Sequence, residues 1–466
     1  MESCLLKKET SIGAQDTGPN SELTSEFLSS ITLALDKNQT RVANNLAKSL
    51  HYADLADLLE NLAHFRREEL VETLRNDFDP NVLAELDETI RERVIEQLGI
   101  SQIAEAIVDL ETDDALEVVE ELTEEERLEV LESVPTTYRT LIEEGLAYRE
   151  DSAGRLMQRE MVAVPLSWTI GQVIDYLRSS NKLPADFFDI FLVNSAHNPV
   201  GTVPLSRIMR TEREVFLKDV MRKHIKIIPC EMDQEEVAFL FRQRDLISAP
   251  VVDKNNRLVG VITVDDIVDV IHEENEEDIM KLAGVGEEDD LYSAVIDTAK
   301  SRFLWLLIHL FAAIIAAYVI SFYAGTIEEM VALAILMPIV AAMGGTASVQ
   351  TLTVAVRAIA MKELTSFNAY RAIGKEVAVG IVNGLIFAII IGFVAWVWFG
   401  SPALGGVIGL AIGLNLVIAG FVGSALPILI QRLGFDPAVA SSAFLTSVTD
   451  IFGFYVFLGL AAALLL

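Results

Sequence analysis

The sequence predicts a multidomain chain in three parts: an all-α acidic region, an α/β region built from a repeat, and a bundle of five membrane-spanning helices. Three observations predict it. The 466 residues carry a net charge of −32, yet Lys300–Leu466 holds six acidic residues against seven basic ones, so almost all the charge precedes residue 300. That neutral second part contains uncharged runs long enough to cross a bilayer. Within the acidic part, the hydrophobic period changes at about Leu156, and the changed pattern then occurs twice.

Residues 24–150 form the acidic helical domain. In HYADLADLLENL and in SQIAEAIVDLETDDALEVVEELTEEERLEVL the apolar residues recur at helical spacing with carboxylates between them, and no strand pattern intervenes. From His51 to Glu150 there are 29 acids against eight bases. Any single glutamate there can be a solvated face, but the excess as a whole favours a cation as partner. It also argues against nucleic acid and anionic lipid, which such a surface repels. The segment 1–23 reads as a disordered N-terminus. Its MESCLLKKETSIGAQ start lacks the apolar core of a signal peptide. Cys4 and Cys230 offer neither a disulfide framework nor paired metal ligands, as expected of a domain in a reducing cytoplasm.

Residues 151–275 hold the repeat, with copies at about 156–212 and 218–275. Val193, Val200 and Gly201 match Val252, Val259 and Gly260 at one displacement. Residues 276–300 then form a connecting acidic helix; Glu276, Glu277 and Asp278 stand at its head, directly after Glu273 and Glu274. Like charges at this spacing destabilise a helix unless a cation faces them. A solvated linker and a divalent-ion interface both account for such a run.

The membrane domain, 301–466, divides into Phe303–Ile327, Met330–Val356, two spans within the 55 uncharged residues Val377–Gln431, and Pro437–Leu466. Gly400, Ser401 and Pro402 mark the turn inside the long run, beside Trp396 and Trp398. Lys300, Arg302, Arg357, Lys362, Arg371, Lys375 and Arg432 all fall on one side, which predicts a cytoplasmic N-terminal part and an outward C-terminus.

Asp450 lies within the last span, where a carboxylate costs about 2.5 to 3.5 kcal/mol even on insertion scales, and such residues are functional by default. Thr446, Ser447, Thr449, Ser441 and Ser442 surround it with oxygen, which hard cations prefer; hydrogen bonding to a neighbouring helix for packing alone is the competing account. In the second span, Pro338 interrupts helical bonding, and Gly344 and Gly345 permit close approach or unwinding. Thr346, Ser348, Gln350, Thr351 and Thr353 add polar atoms that line a pore or pack helices. His309 reads as an interface or packing residue. No phosphate loop, zinc-protease motif or nucleophile elbow is present, and the chain is not expected to be an enzyme.

APVVD at 249–253 followed by GVITVDDI at 260–267 resembles a CBS domain. Paired copies of that fold sense small ligands, and the resemblance implies an adenosine ribose contact by Thr263 and Asp266, with ATP as a ligand. The first copy has Pro204 and Arg207 in those places. The whole order resembles the MgtE-type magnesium transporters, on YREDSAGRLM at 148–157, VITVDDIVDVIHEENEEDIMKLAGV at 261–285, MPIVAAMGG at 337–345, RLGFDPA at 432–438 and VTDIFG at 448–453.

The resemblance implies a superhelical N-terminal domain and a homodimer in a prokaryotic inner (plasma) membrane, carrying Mg²⁺ into the cytoplasm down its electrochemical gradient. Asp450 would bind the permeating ion, with Gly344, Gly345, Thr346, Ser348, Gln350, Thr446 and Thr449 as lining candidates. Cytoplasmic Mg²⁺ would close the gate through Asp113, Glu117, the Gly154 carbonyl, Asp265, Asp269 and Glu276. GGTASVQ stands where that family reads GGNxGxQ, which alters the pore entrance. Two alternatives are transport of Co²⁺, Ni²⁺ or Zn²⁺, and a membrane-anchored sensor of ions or nucleotides that transports nothing.

Overall fold

The computed structural model describes residues 24–180, 183–184, 187–286, 295–365, 367–439 and 442–465. The predicted disordered segment 1–23, Ser441 and part of the predicted 276–300 connecting helix therefore lie outside the described residues. The chain divides into two compact units, 1–271 and 272–466.

The first unit opens with a run of short helices from Ser25–Asp36 to Thr136–Leu146, packed around one aliphatic core that includes Ile31, Leu58, Leu70, Leu83, Ile103 and Val118. Helices this short leave many end carbonyls without intrahelical partners, and arginines answer that need twice in the same way. Arg67 donates to the carbonyls of Leu59, Glu60 and Leu62, and Arg127 to those of Val119, Glu120 and Leu122. Each guanidinium thus fastens the end of the preceding helix to the next helix, a repeat within the helical domain. Thr123 and Glu126 close a capping box on the helix Glu124–Ser133.

The α/β part repeats one topology. Strands β1 (Ala163–Pro165), β2 (Asp189–Val193) and β3 (Pro199–Pro204) form one sheet, and β4 (Ile228–Pro229), β5 (Ser248–Val252) and β6 (Leu258–Thr263) form another. In both, the first pair is parallel and the second antiparallel. Even the register irregularity recurs, between Leu192 and Val193 and again between Val251 and Val252. Equivalent strand starts touch: Ser248 Oγ donates to Asp189 Oδ2 at 3.1 Å across a separation of 59 residues, which is the displacement of the repeat. A helix, Val264–Ala283, follows β6, and its first turns belong to this unit.

Among its described residues the second unit contains five helices long and apolar enough to cross a membrane: Thr298–Ser321, Ala332–Ala360, Ala369–Phe399, Pro402–Arg432 and Ser442–Leu464. The turn predicted at Gly400 is present, with Gly400 at φ +70 closing the third span and Pro402 opening the fourth. The fourth span is the most enclosed and the first and third the least, so large apolar faces of the latter two are exposed. The third and fourth spans meet along small residues: a Cβ on Gly380, Gly384 or Gly409 would press on backbone of the facing helix at 2.7–2.9 Å.

Pro338 leaves the second span unbroken as a helix from Ala332 to Ala360. Of the two consequences expected of Gly344 and Gly345, close approach is the one observed. Neighbouring helices can resatisfy the backbone that proline frees, so a membrane helix tolerates the residue.

Candidate functional site

The second and fifth spans line an open cavity of about 490 Å³ formed by Ala341, Ala342, Gly345, Thr346, Val349, Gln350, Thr446 and Asp450. Most of the lining is small or apolar, and Thr346 and Gln350 of the second span and Thr446 and Asp450 of the fifth add hydroxyl, amide and carboxylate groups. The helical repeat explains the grouping, since 342, 345, 346, 349 and 350 share one face and 446 and 450 are one turn apart. Asp450 Oδ1 is sealed from solvent and has no hydrogen-bond partner among the described residues. An ionised carboxylate in such surroundings lacks the compensation that burial demands.

The other lining candidates lie elsewhere. Gly344, Ser348 and Thr449 are buried in helix packing. Ser348 Oγ donates to the Gly345 carbonyl at 2.8 Å, and Thr449 Oγ1 to the carbonyls of Leu445 at 3.2 Å and Thr446 at 2.9 Å. These hydroxyls spend their protons on their own helices.

Asn415 is a polar residue that sequence reasoning passed over. It sits in the fourth span, 1% exposed, and its Nδ2 donates to the Val340 carbonyl of the second span at 3.0 Å. A Cβ on Gly344 would lie 2.2 Å from that nitrogen and one on Gly453 would lie 2.7 Å from it. Those two glycines make the room for the amide, which pins three helices next to the cavity. An amide in the middle of an uncharged run was the available signal, one that Asn383 shares.

In the first unit, the helix Thr112–Glu120 brings carboxylates against residues 155–160, at the head of the first α/β copy, and close to Asp266 of the second. Thr112 donates through Oγ1 to Glu160 at 2.6 Å, Gln158 Nε2 donates to Glu111 at 2.6 Å, and Arg155 pairs with Glu120. These links fix a crowd of like charges. Burial, then the neighbouring Asp266, Asp114 and Glu111, hold Asp113 well above the usual carboxylate range, and its Oδ1 is sealed without a partner. Burial and then Glu117 push Asp114 up to about 7. Burial likewise raises Asp266 to about 7, with Asp265 and Glu111 adding to it against the hydrogen bonds from Thr263. A helix N-terminus ordinarily favours carboxylates; here desolvation and mutual repulsion outweigh it.

The remaining regulatory candidates are dispersed. Glu117 is paired with the buried Arg91 at 2.5 Å, and Arg91 also meets Glu121 at 3.1 Å. Asp265 acts on Asp266 and Tyr52, and Asp269 on Glu85, through space. Gly154 is buried at the start of a short helix, where its N–H donates to the Cys230 carbonyl at 2.9 Å. Glu276 pairs with His272 at 3.3 Å. Thr263 Oγ1 donates to Asp266 at 2.8 Å, so the two nucleotide candidates are bonded to each other at the start of the long helix. Among the described residues no three histidine, cysteine or carboxylate groups converge as a metal cluster.

Near the membrane, Lys281 forms ion pairs with Glu277 and with Asp436, the latter at 2.9 Å. Burial, then Asp436 and Glu274, raise Asp278 to about 6.

Comparison with known proteins accounts for this architecture. Residues 337–460 match the family profile MgtE, a divalent cation transporter, residues 50–151 the MgtE intracellular N domain, and residues 217–273 the CBS domain. The magnesium transporter MgtE of Bacillus subtilis is 30% identical over 438 residues, covering 94% of this chain and 97% of the relative. The chain belongs to the MgtE family. The Enterococcus faecalis magnesium transporter MgtE is 32% identical over 321 residues, covering 69% of this chain and 71% of the relative. A solved cytosolic domain of the Mg²⁺ channel MgtE in complex with ATP aligns with a TM-score of 0.49 at 26% identity, covering 52% of this chain and 99% of that one. As an MgtE-family member the chain is a membrane protein of the divalent cation transporters, a role that is not enzymatic.

Proposed function

We propose that this chain is a Mg²⁺ channel or transporter that admits the ion to the cytoplasm and is closed by cytoplasmic Mg²⁺. The observation that carries the transport half is Asp450, whose sealed Oδ1, without a hydrogen-bond partner among the described residues, stands beside a mostly apolar cavity between two spans that also presents Thr346, Gln350 and Thr446. Mg²⁺ dehydrates reluctantly and keeps waters while binding through one or two carboxylates. One Asp450 with Thr346, Gln350 and Thr446 nearby suits a hydrated ion, and a homodimer would bring a second Asp450 to it. The drive is the membrane potential, worth about 4.6 kcal/mol per 100 mV for a divalent ion, twice the single-charge value. The distribution of Lys and Arg favours N-terminal domains in the cytoplasm and a C-terminus outside, and membership of the family favours a prokaryotic plasma membrane as the setting.

The gating half rests on the carboxylates around Asp113, Asp114 and Asp266. Their raised affinity for protons expresses a shortage of positive charge. A Mg²⁺ ion held by few direct carboxylates and completed by water would supply that charge and stabilise the docked form by RT ln(1 + [L]/Kd). Glu117, Asp265, Asp269, Glu276 and the Gly154 carbonyl are the further regulatory candidates. ATP at Thr263 and Asp266 would have to exchange their mutual hydrogen bond for bonds to a ribose.

Uptake of Mg²⁺ into proteoliposomes with internal Mg²⁺ varied tests the proposal. Uptake should fall as internal Mg²⁺ rises, and the suppression should weaken when Asp113 and Asp266 are both changed to Asn. Uptake indifferent to internal Mg²⁺ sinks the gating half, and no uptake at all favours a sensor without transport.

A further inference from the structure

The two spans that line the cavity meet directly at one level and through a third span at the next. A Cβ on Gly345 would lie 2.9 Å from Thr446 Cγ2, so the second and fifth spans touch there with nothing between them. A Cβ on the adjoining Gly344 would instead reach Asn415 Nδ2 at 2.2 Å, and one on Gly453 would reach the same nitrogen at 2.7 Å. The amide of the fourth span is thus wedged between the second and the fifth. Gly453 follows Asp450 by three residues, about 4.5 Å along the helix axis, and Gly344 precedes a residue of the lining. On both spans the wedge stands within about one turn of the ion path.

An apolar side chain could fill the same space; what the amide adds is direction. Nδ2 donates to the Val340 carbonyl at 3.0 Å, whereas Oδ1 is sealed and has no hydrogen-bond partner among the described residues. Asn415 is 1% exposed, and a buried acceptor without a donor costs stability. One half of the amide is therefore a burden on the fold. The other half fixes the height and rotation of the second span against the fourth. Ala341 and Ala342 follow Val340 directly in the lining, and Thr346 and Gln350 lie further along the same helix. Any slide or turn of that helix changes where Thr346 and Gln350 stand relative to Asp450, and the hydrogen bond from Asn415 opposes it.

We propose that Asn415 is a positioning residue of the ion path: held between Gly344 and Gly453 and donating to the Val340 carbonyl, it sets Thr346 and Gln350 at the distance from Asp450 at which both spans hold one hydrated ion. The inference rests on Asp450 as the site of the permeating ion. Asn415 is buried behind the lining rather than part of it, so it acts through the second span. Mg²⁺ demands near-ideal octahedral geometry and keeps several of its waters. Oxygens that meet that water shell must stand at fixed places, and a second span free to shift holds the ion more weakly.

The test uses the full chain in proteoliposomes with internal Mg²⁺ kept low, and reads the external Mg²⁺ concentration that gives half-maximal uptake beside the unfolding midpoint of the detergent-purified protein. Asn415→Leu keeps a branched side chain of similar shape and removes the donor and the sealed acceptor together; Asn415→Ala removes the wedge and only deletes atoms, so it carries the test if leucine does not fit. The half-saturating concentration should rise at least fivefold in both variants, with the Leu variant unfolding at or above the original midpoint. An amide that served packing alone would give the reverse, a lower midpoint and unchanged half-saturation. Unchanged half-saturation in the folded variants, or a rise that only follows lost stability, overturns the role of Asn415 while Asp450→Asn stays inactive. Full uptake by Asp450→Asn removes the pore site itself, and this inference with it.

Discussion

Substituting Gly344 by Ala probes the point where three spans are pinned together. The new methyl group would lie 2.2 Å from Asn415 Nδ2, 2.9 Å from its Cγ and 3.1 Å from its Oδ1, all well inside contact distance. Asn415 is 1% exposed, and Gly453 closes the space on its other side, so the amide has nowhere to turn without leaving Val340. Loss of that hydrogen bond costs about 1 kcal/mol. Overpacking a tight site adds about 1–3 kcal/mol. Alanine is the better helix former, which returns up to about 1 kcal/mol. The net expected destabilisation is about 1–3 kcal/mol, read as a lower unfolding midpoint of the detergent-purified protein. Adding Asn415→Ala makes room for the methyl, so the double variant should lose less than the sum of the two single variants. A Gly344→Ala protein as stable as the original, or strictly additive losses, would refute the assignment of Gly344 as space for Asn415.

Three other outcomes follow from the charges outside the spans. Because Asp114 and Asp266 have folded-state pKa values of about 7, above their unfolded ones, the stability they confer is present below about pH 4 and lost as pH rises through about 7, and Asp113, also raised, acts in the same direction. Hydrogen-exchange protection of Thr112–Glu120, corrected for intrinsic rates, should therefore drop between pH 6 and pH 8 and be restored at pH 8 by Mg²⁺; protection independent of both contradicts the crowding. Arg91→Met removes the partner of Glu117 and Glu121 and two bonds to the Leu86 carbonyl, and should destabilise the helical domain by about 3–5 kcal/mol in denaturant unfolding. Lys281→Met leaves Glu277 and Asp436 without this cation and lets Asp436 act uncompensated on Asp278, so it should lower the unfolding midpoint more at pH 8 than at pH 5. An equal effect at both pH values would show that the lysine acts through packing.

The sequence made some of this legible and concealed the rest for physical reasons. The five spans and the doubled α/β unit were readable because hydropathy and strand spacing are local properties. Even the turn at Gly400 was marked by the Gly-Ser-Pro string. Asp450 announced itself by being charged among apolar neighbours. Which residues face the cavity was not readable at that level, because Gly344 and Ser348 differ from Gly345 and Thr346 only in angle around one helix. The bond of Asn415 to Val340, the pairing of Arg91 with Glu117 and the hydrogen bond between Ser447 Oγ and His309 Nδ1 join residues 75, 26 and 138 positions apart. No periodicity reports contacts of that kind. The arginine repeat at Arg67 and Arg127 escaped for a related reason, since its signature is the carbonyls it reaches and not the residues that own them.

The claim on which the account depends is that the ion passes Asp450. Asp450→Asn keeps the shape and the oxygen of the side chain and removes its charge, so a change in flux reports electrostatics rather than a cavity. With an inside-negative potential imposed and internal Mg²⁺ kept low, the account predicts rapid Mg²⁺ uptake by the unaltered protein and at least a tenfold slower rate in Asp450→Asn. Equal rates in the two proteins would contradict it.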